Sequence, residues 1–240
     1  MHRRQFVAAL TSGGVVASTG CLGDLLEDVT TVSASPAIVP ESVATEVGYD
    51  YRGTEESVRT ESVAGETVEV TNYASEYVRT IDLPLDPFGG DGDESDGDED
   101  ENTDGVEAGV FGLLTTPEVS VAGENFNPVG DMSRAEIAER VQDRYGELEV
   151  GDDPVDRRSV TVLDDTTTVE TFEGEATLRE ISVDAVVEVA RPDRGGDHLV
   201  IVGVYPDETG FDRGAEAERI DTLIEAIEHG DGVEVNLEGD

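Results

Sequence analysis

The sequence predicts an α+β domain: a largely antiparallel β-sheet with two or three helices packed on it. Three observations carry the prediction. Ile181, Val183, Ala185, Val187 and Val189 recur with period two. Leu199 to Tyr205 runs apolar on both faces up to Pro206, the pattern of a central strand. Ser133-Arg134-Ala135-Glu136 is a capping box, in which serine oxygen and glutamate satisfy each other's orphan amides at a helix start.

In chain order, the first element is an address. Arg3-Arg4-Gln5-Phe6 and the small or apolar residues up to Thr19 have the layout of an export signal over 1–20, of the paired-arginine type read by the Tat machinery. Gly13-Gly14 argues against an ordinary buried helix there, since glycine costs about 1 kcal/mol in a helix interior. A transmembrane span needs about 20 mostly apolar residues, more than this stretch supplies. Ser18-Thr19-Gly20-Cys21 resembles a lipobox, which implies a lipid on Cys21 as first residue of the mature chain. A tether over 21–34 follows. Its Leu22, Leu25, Leu26 and Val29 share a helical face, but Asp24, Glu27 and Asp28 would be repelled by anionic headgroups.

The domain is expected over 35–230. A short helix fits 41–47, ending at Gly48. Val68 to Val70 and Tyr77 to Ile81 read as a hairpin about Asn72-Tyr73-Ala74-Ser75. An insertion at 89–105 carries nine carboxylates between Asp91 and Gly105 and no apolar side chain, so it buries nothing. Val106 to Thr116 reads as a strand buried on both faces and closed by Pro117, with Val119 and Val121 extending the same sheet. Ile137, Val141 and Tyr145 share the face of a helix that Gly146 ends. Strands are expected at 160–163, 166–172 and 176–190, the last with Ser182, Asp184 and Glu188 on a wet side. Ile220, Leu223, Ile224 and Ile227 trace a closing helix near 214–229, with His229 in its last turn and Gly230 as its cap. Residues 231–240 read as an acidic tail.

Composition bounds function. The 240 residues carry a net charge of −42, all 15 basic residues are arginine, and 57 are acidic. Loss of 1–20 leaves −44 (13 minus 57). Extreme acidity without lysine resembles haloarchaeal proteins, whose self-repulsion is screened when the Debye length falls to about 3 Å in 1 M salt. A hydrophobic content of 37% weighs against disorder for most of the chain. Nucleic acid is not an expected partner, since phosphate binding needs clustered positive charge. With Cys21 committed to lipid, no thiol remains for zinc, disulfide or nucleophile.

No P-loop, dinucleotide, H-E-x-x-H or G-x-S-x-G motif occurs, so neither cofactor nor catalytic residues are assigned. Asp96, Asp98, Asp100, Asn102, Asp104 and Glu107 approach calcium-loop spacing, but Glu101 stands where the turn demands glycine, and no metal is assigned. Asp197-His198 is a general-base pattern, yet neighbours in a strand point to opposite faces. The turn-rich run from Gly123 to Gly130 holds Asn125 and Asn127, which either fix their own loop or present amides to a ligand. Asn125, Asn127 and His198 are the candidate ligand-loop residues.

Val68 to Tyr73, Tyr77, Ser120 to Ser133 with its Asn-Phe-Asn-Pro-Val-Gly core, and Gly196-Asp197-His198 running to Tyr205-Pro206 together resemble a family of uncharacterised haloarchaeal Tat-exported lipoproteins, a domain of unknown function. The resemblance implies a halophilic origin and a lipid at Cys21, and assigns no reaction. The closing order of buried strand, Tyr-Pro, loop and amphipathic helix also resembles the Mog1/PsbP-like sandwich. The expectation is a binding or accessory lipoprotein without catalysis on the outer face of the cell membrane, with a protein at the cell surface as partner. A weak hydrolase centred on His198 and a solute-binding transporter component are the alternatives.

Overall fold

The computed structural model describes residues 29–63, 66–81, 106–121, 124–125, 128–144, 148–178, 181–208 and 212–237. Arg3, Arg4, Cys21, the 22–28 part of the tether, the 89–105 insertion, Asn127 and Tyr145-Gly146 lie outside them. The elements in order are β1 (Val29–Ser33), β2 (Ala37–Ile38), α1 (Glu41–Glu46), β3 (Asp50–Val63), β4 (Glu66–Ile81), β5 (Val106–Pro117), β6 (Ser120–Val121), β7 (Glu124–Asn125), α2 (Pro128–Asp131), α3 (Arg134–Arg144), β8 (Leu148–Val150), β9 (Asp156–Val162), β10 (Asp165–Leu178), β11 (Ile181–Ala190), β12 (Asp193–Arg194), β13 (Asp197–Pro206), α4 (Arg213–Glu225) and β14 (Glu228–His229).

One sheet runs β1-β4-β5-β13-β11-β10-β8, with β3 added on β4, β9 on β10 and β12 on β13. Its pairs are antiparallel except β1 with β4. The expected α+β class is therefore the observed one. Each face carries its own core. On one side α1 and α4 close over Tyr49, Tyr77, Phe111, Leu199, Ile201 and Tyr205, with Ile220, Leu223 and Ile224 of α4 fully buried. On the other, α3 packs Ile137 and Ala138 onto Phe172, Val187, Val189 and Val200. Full burial of such a side chain contributes about 1.5–3 kcal/mol, so the alternating sets of β11 and β13 dictate both layers.

Helix starts follow local chemistry. Glu136 accepts from the Ser133 amide at 2.7 Å and its own amide donates to Ser133 Oγ at 3.2 Å, which is the capping box read from sequence. Asp212 caps α4, its Oδ1 accepting from the amides of Gly214 (3.0 Å) and Ala215 (3.2 Å).

Several expectations are corrected. Asn72 to Ser75 is no turn: it lies inside the unbroken strand β4, whose hairpin partner is β3. Ser120-Val121 leaves the main sheet and pairs with β7. Ala176, Thr177 and Leu178 end β10 rather than opening β11. β1, placed in the tether, is a sheet strand. Glu188 is not on a wet side, because α4 covers that face and leaves it 2% exposed. α4 stops at Glu225, so His229 is no helix-terminal cation but a residue of β14, paired with Ala37 of β2. Within the acidic tail, Asn236 is held by a 2.9 Å hydrogen bond from the Thr54 amide.

Candidate functional site

Two features concentrate unsatisfied chemistry. The first is at the N-terminal end of β13. Gly195 (φ 64°) and Gly196 (φ 91°) form a two-residue turn that L-side chains rarely adopt, and it fixes β12 on β13 with Asp193 opposite His198. Cross-strand partners share a face, so Asp193 Oδ1 meets His198 Nδ1 at 2.7 Å. His198 is 8% exposed, and its Nε2 has no hydrogen-bond partner among the described residues. Asp197 points the other way. Its Oδ2 pairs with His229 Nε2 at 2.9 Å and accepts from the Ser35 amide at 2.9 Å. The sequence argument that Asp197 and His198 cannot act together holds, and each finds a different partner. The Asp197–His229 pair, with β2 on β14, straps the two ends of the domain together.

The candidate ligand-loop set is brought together only in part. His198 lies opposite Thr116 near the end of β5, and the Glu118 amide bonds the Gly196 carbonyl at 2.7 Å. That puts the β6–β7 hairpin, with Asn125 in register with Ser120, at the same end of the sheet. Asn127 lies outside the described residues, as do the anchor residues Cys21, Arg3 and Arg4.

The second feature is a cleft of about 200 Å³ where α3 stands off the β4-β5-β13 face. Ala74, Leu114, Val200 and Val202 line it from the sheet, Met132 and Ile137 from the helical side, and Glu76 and Arg140 bring one charge of each sign. Gly112 lies among them, between Glu76 and Val202 in register. This explains why β5, expected buried on both faces, is fully buried only at alternate residues from Gly109 to Thr115: Val110, Gly112 and Leu114 are half-buried. Sequence reading missed the cleft, although Gly112, one of two glycines inside an apolar strand, was its signal.

Beneath α4 lies a charge layer that is structural. Arg158 donates to both oxygens of Glu188 (2.7 and 2.6 Å) and to Asp221 (2.7 Å), and Tyr205 donates to Glu188 at 2.9 Å. Despite its partial burial, those two carboxylates hold the Arg158 guanidinium above its ordinary value. Arg79 and Arg219 pair with the 3% exposed Glu216. Satisfied ion pairs of this kind fix geometry and leave no valence for a substrate. Among the described residues, no group of three or more His, Cys, Asp or Glu is placed to hold a metal, and no helix is long and apolar enough to cross a membrane.

Residues 36–228 match the family model described as a domain of unknown function, DUF6517. No curated protein matches the chain. The solution structure of cyanobacterial PsbP (CyanoP) from Synechocystis sp. PCC 6803 is similar at 12% identity and a TM-score of 0.27, covering 90% of this chain and all of that one; at that score the likeness carries no argument.

Proposed function

The chain belongs to the DUF6517 family, and we propose that it works as a lipid-anchored, extracytoplasmic binding module of a halophile, without catalysis. The observation that carries the binding reading is the aliphatic cleft beneath α3: ligand sites are concave, mostly apolar and largely preformed. The address rests on sequence. Arg3-Arg4, the small and apolar run behind them and Ser18-Thr19-Gly20-Cys21 support export by Tat and a lipid at Cys21. Fifty-seven acids with arginine as the sole basic residue type support a high-salt medium. A single short acyl chain gives only marginal membrane residence, so a two-chain lipid is expected.

A second reading, hydrolysis at His198, draws on the Asp193–His198 pair with its unpartnered Nε2. Such a base needs a nucleophile or a water held within reach, and the cleft that carries the binding reading is lined by neither His198 nor Asp193. The binding reading therefore leads.

The test is fractionation of cells expressing the wild type and Cys21→Ser. The wild type should sediment with membranes and the variant should appear in the medium. A variant that stays on the membrane contradicts the anchor.

A further inference from the structure

We infer that the cleft beneath α3 takes the end of a single hydrocarbon chain bearing an uncharged head, with Gly112 as the floor on which the chain lies. This rests on the binding reading above and gives it a ligand class.

The described glycines of the main sheet supply the argument. A glycine inside a strand weakens it and marks a bulge or a place where something approaches the backbone closely. Gly53 (φ 150°) sits at the bulge in β3. At Gly109 an added Cβ would stand 3.0 Å from Arg79 Cβ and 3.1 Å from Tyr49 Oη. At Gly174 it would meet the Glu149 carbonyl at 2.5 Å, and at Gly203 the Ile220 side chain at 2.9 Å. Each of these has a reason inside the protein. Gly112 has none: its φ is not in the left-handed region, and a Cβ there would find no described atom within 4 Å. Gly112 instead leaves open space against its backbone, where a ligand can lie.

The walls say what that is. About 200 Å³ lined by Ala74, Leu114, Val200, Val202, Met132 and Ile137 exceeds an apolar cavity of about 150 Å³ that stays dry and admits benzene. Water needs two to four polar partners, and the aliphatic walls between Glu76 and Arg140 offer few. Met132 adds a side chain that adapts to irregular shapes. Glu76 and Arg140 bring one charge of each sign, and a carboxylate drawn in among these apolar walls would lose its hydration without a dedicated cation. The chain is thus selected by its hydrocarbon.

The experiment is calorimetric titration of the full-length chain carrying Cys21→Ser, in molar KCl and free of detergent, with octanol, octanoate and phosphatidylcholine vesicles doped with a monoacylglycerol. Octanol should bind saturably and octanoate at least fivefold more weakly. Gly112→Leu, whose side chain occupies the cleft, should lower octanol affinity at least tenfold, and Gly112→Ala, which needs no repacking, should lower it measurably. Circular dichroism confirms that both variants fold. Binding of free octanol identifies a soluble chain as the source. Uptake of the monoacylglycerol from vesicles by the parent chain but not by Gly112→Leu identifies a membrane lipid, and either supports the site. No saturable binding of either, or equal binding by folded Gly112→Leu, overturns it; octanoate binding as tight as octanol overturns the uncharged head. These failures leave the membrane fractionation untouched, so loss of the ligand class and loss of the anchored-module reading are separately visible.

Discussion

Glu188 shows why single residues were hard to read from sequence. Its place in the period-two pattern of β11 marks it as facing away from α3, and with only one core in view that direction looks like solvent. Its partners are Arg158, 30 residues earlier, and Tyr205 after it, with Asp221 holding the same guanidinium, so nothing local announces the second core that buries it. Burying that carboxylate is tolerable because every contact is charge-assisted; removing Arg158 alone would leave it unpaired, a loss of about 3–5 kcal/mol. His198 was legible as a strand residue turned away from Asp197, but its partner Asp193 emerges only from the register that the Gly195-Gly196 turn sets.

The buried tyrosines yield a pH prediction. Burial pushes the hydroxyls of Tyr49, Tyr77 and Tyr205 well above the ordinary tyrosine range, and nearby Glu216 and Glu188 add to the shift for Tyr49 and Tyr205. A folded value above the unfolded one, about 10, means the protonated form stabilises the fold. That stability is complete below about pH 10 and is lost as pH rises beyond it. In a spectrophotometric titration these three of the six tyrosines should ionise only together with the loss of circular dichroism. Smooth ionisation of all six in a native fold would contradict the buried positions.

At the scale of elements, patterns longer than a few residues were legible and short polar interruptions were not. The capping box, the all-apolar β13 and the alternation of β11 stand as read. Asn72-Tyr73-Ala74-Ser75 has turn composition, yet β3 and β5 pair with that stretch on its two edges, and Ser75 Oγ donates to the Ala37 carbonyl at 2.8 Å. Tertiary pairing outweighs local propensity there. The end of α4 was misplaced because Ile227 continues the apolar stripe: it is buried, but from the loop after the helix. Two glycines of adjacent strands make the element-scale test. Gly203→Ala drives a methyl into Ile220 and should cost about 1–3 kcal/mol. Gly112→Ala meets open space and, by narrowing the unfolded ensemble, should stabilise by about 0.4–1 kcal/mol. Thermal or denaturant melts read both, and destabilisation by Gly112→Ala would show that its space is already occupied.

For the whole molecule, fold class was legible because two strands carry unambiguous patterns and α3 begins with a clear cap. The candidate site was not. A cleft is a relation among β4, β5, β13 and α3, which are scattered over more than a hundred residues. Acidity belongs to this scale as well: a net charge of −42 repels itself in dilute buffer and is screened within about 3 Å at 1 M salt. The central claim is that this carboxylate-covered body is exported, trimmed and moored at Cys21. The most direct measurement is the intact mass of the protein extracted from its own membranes. The account predicts a chain that begins at Cys21 with a covalent lipid added; a chain still beginning at Met1 with an unmodified cysteine would contradict it.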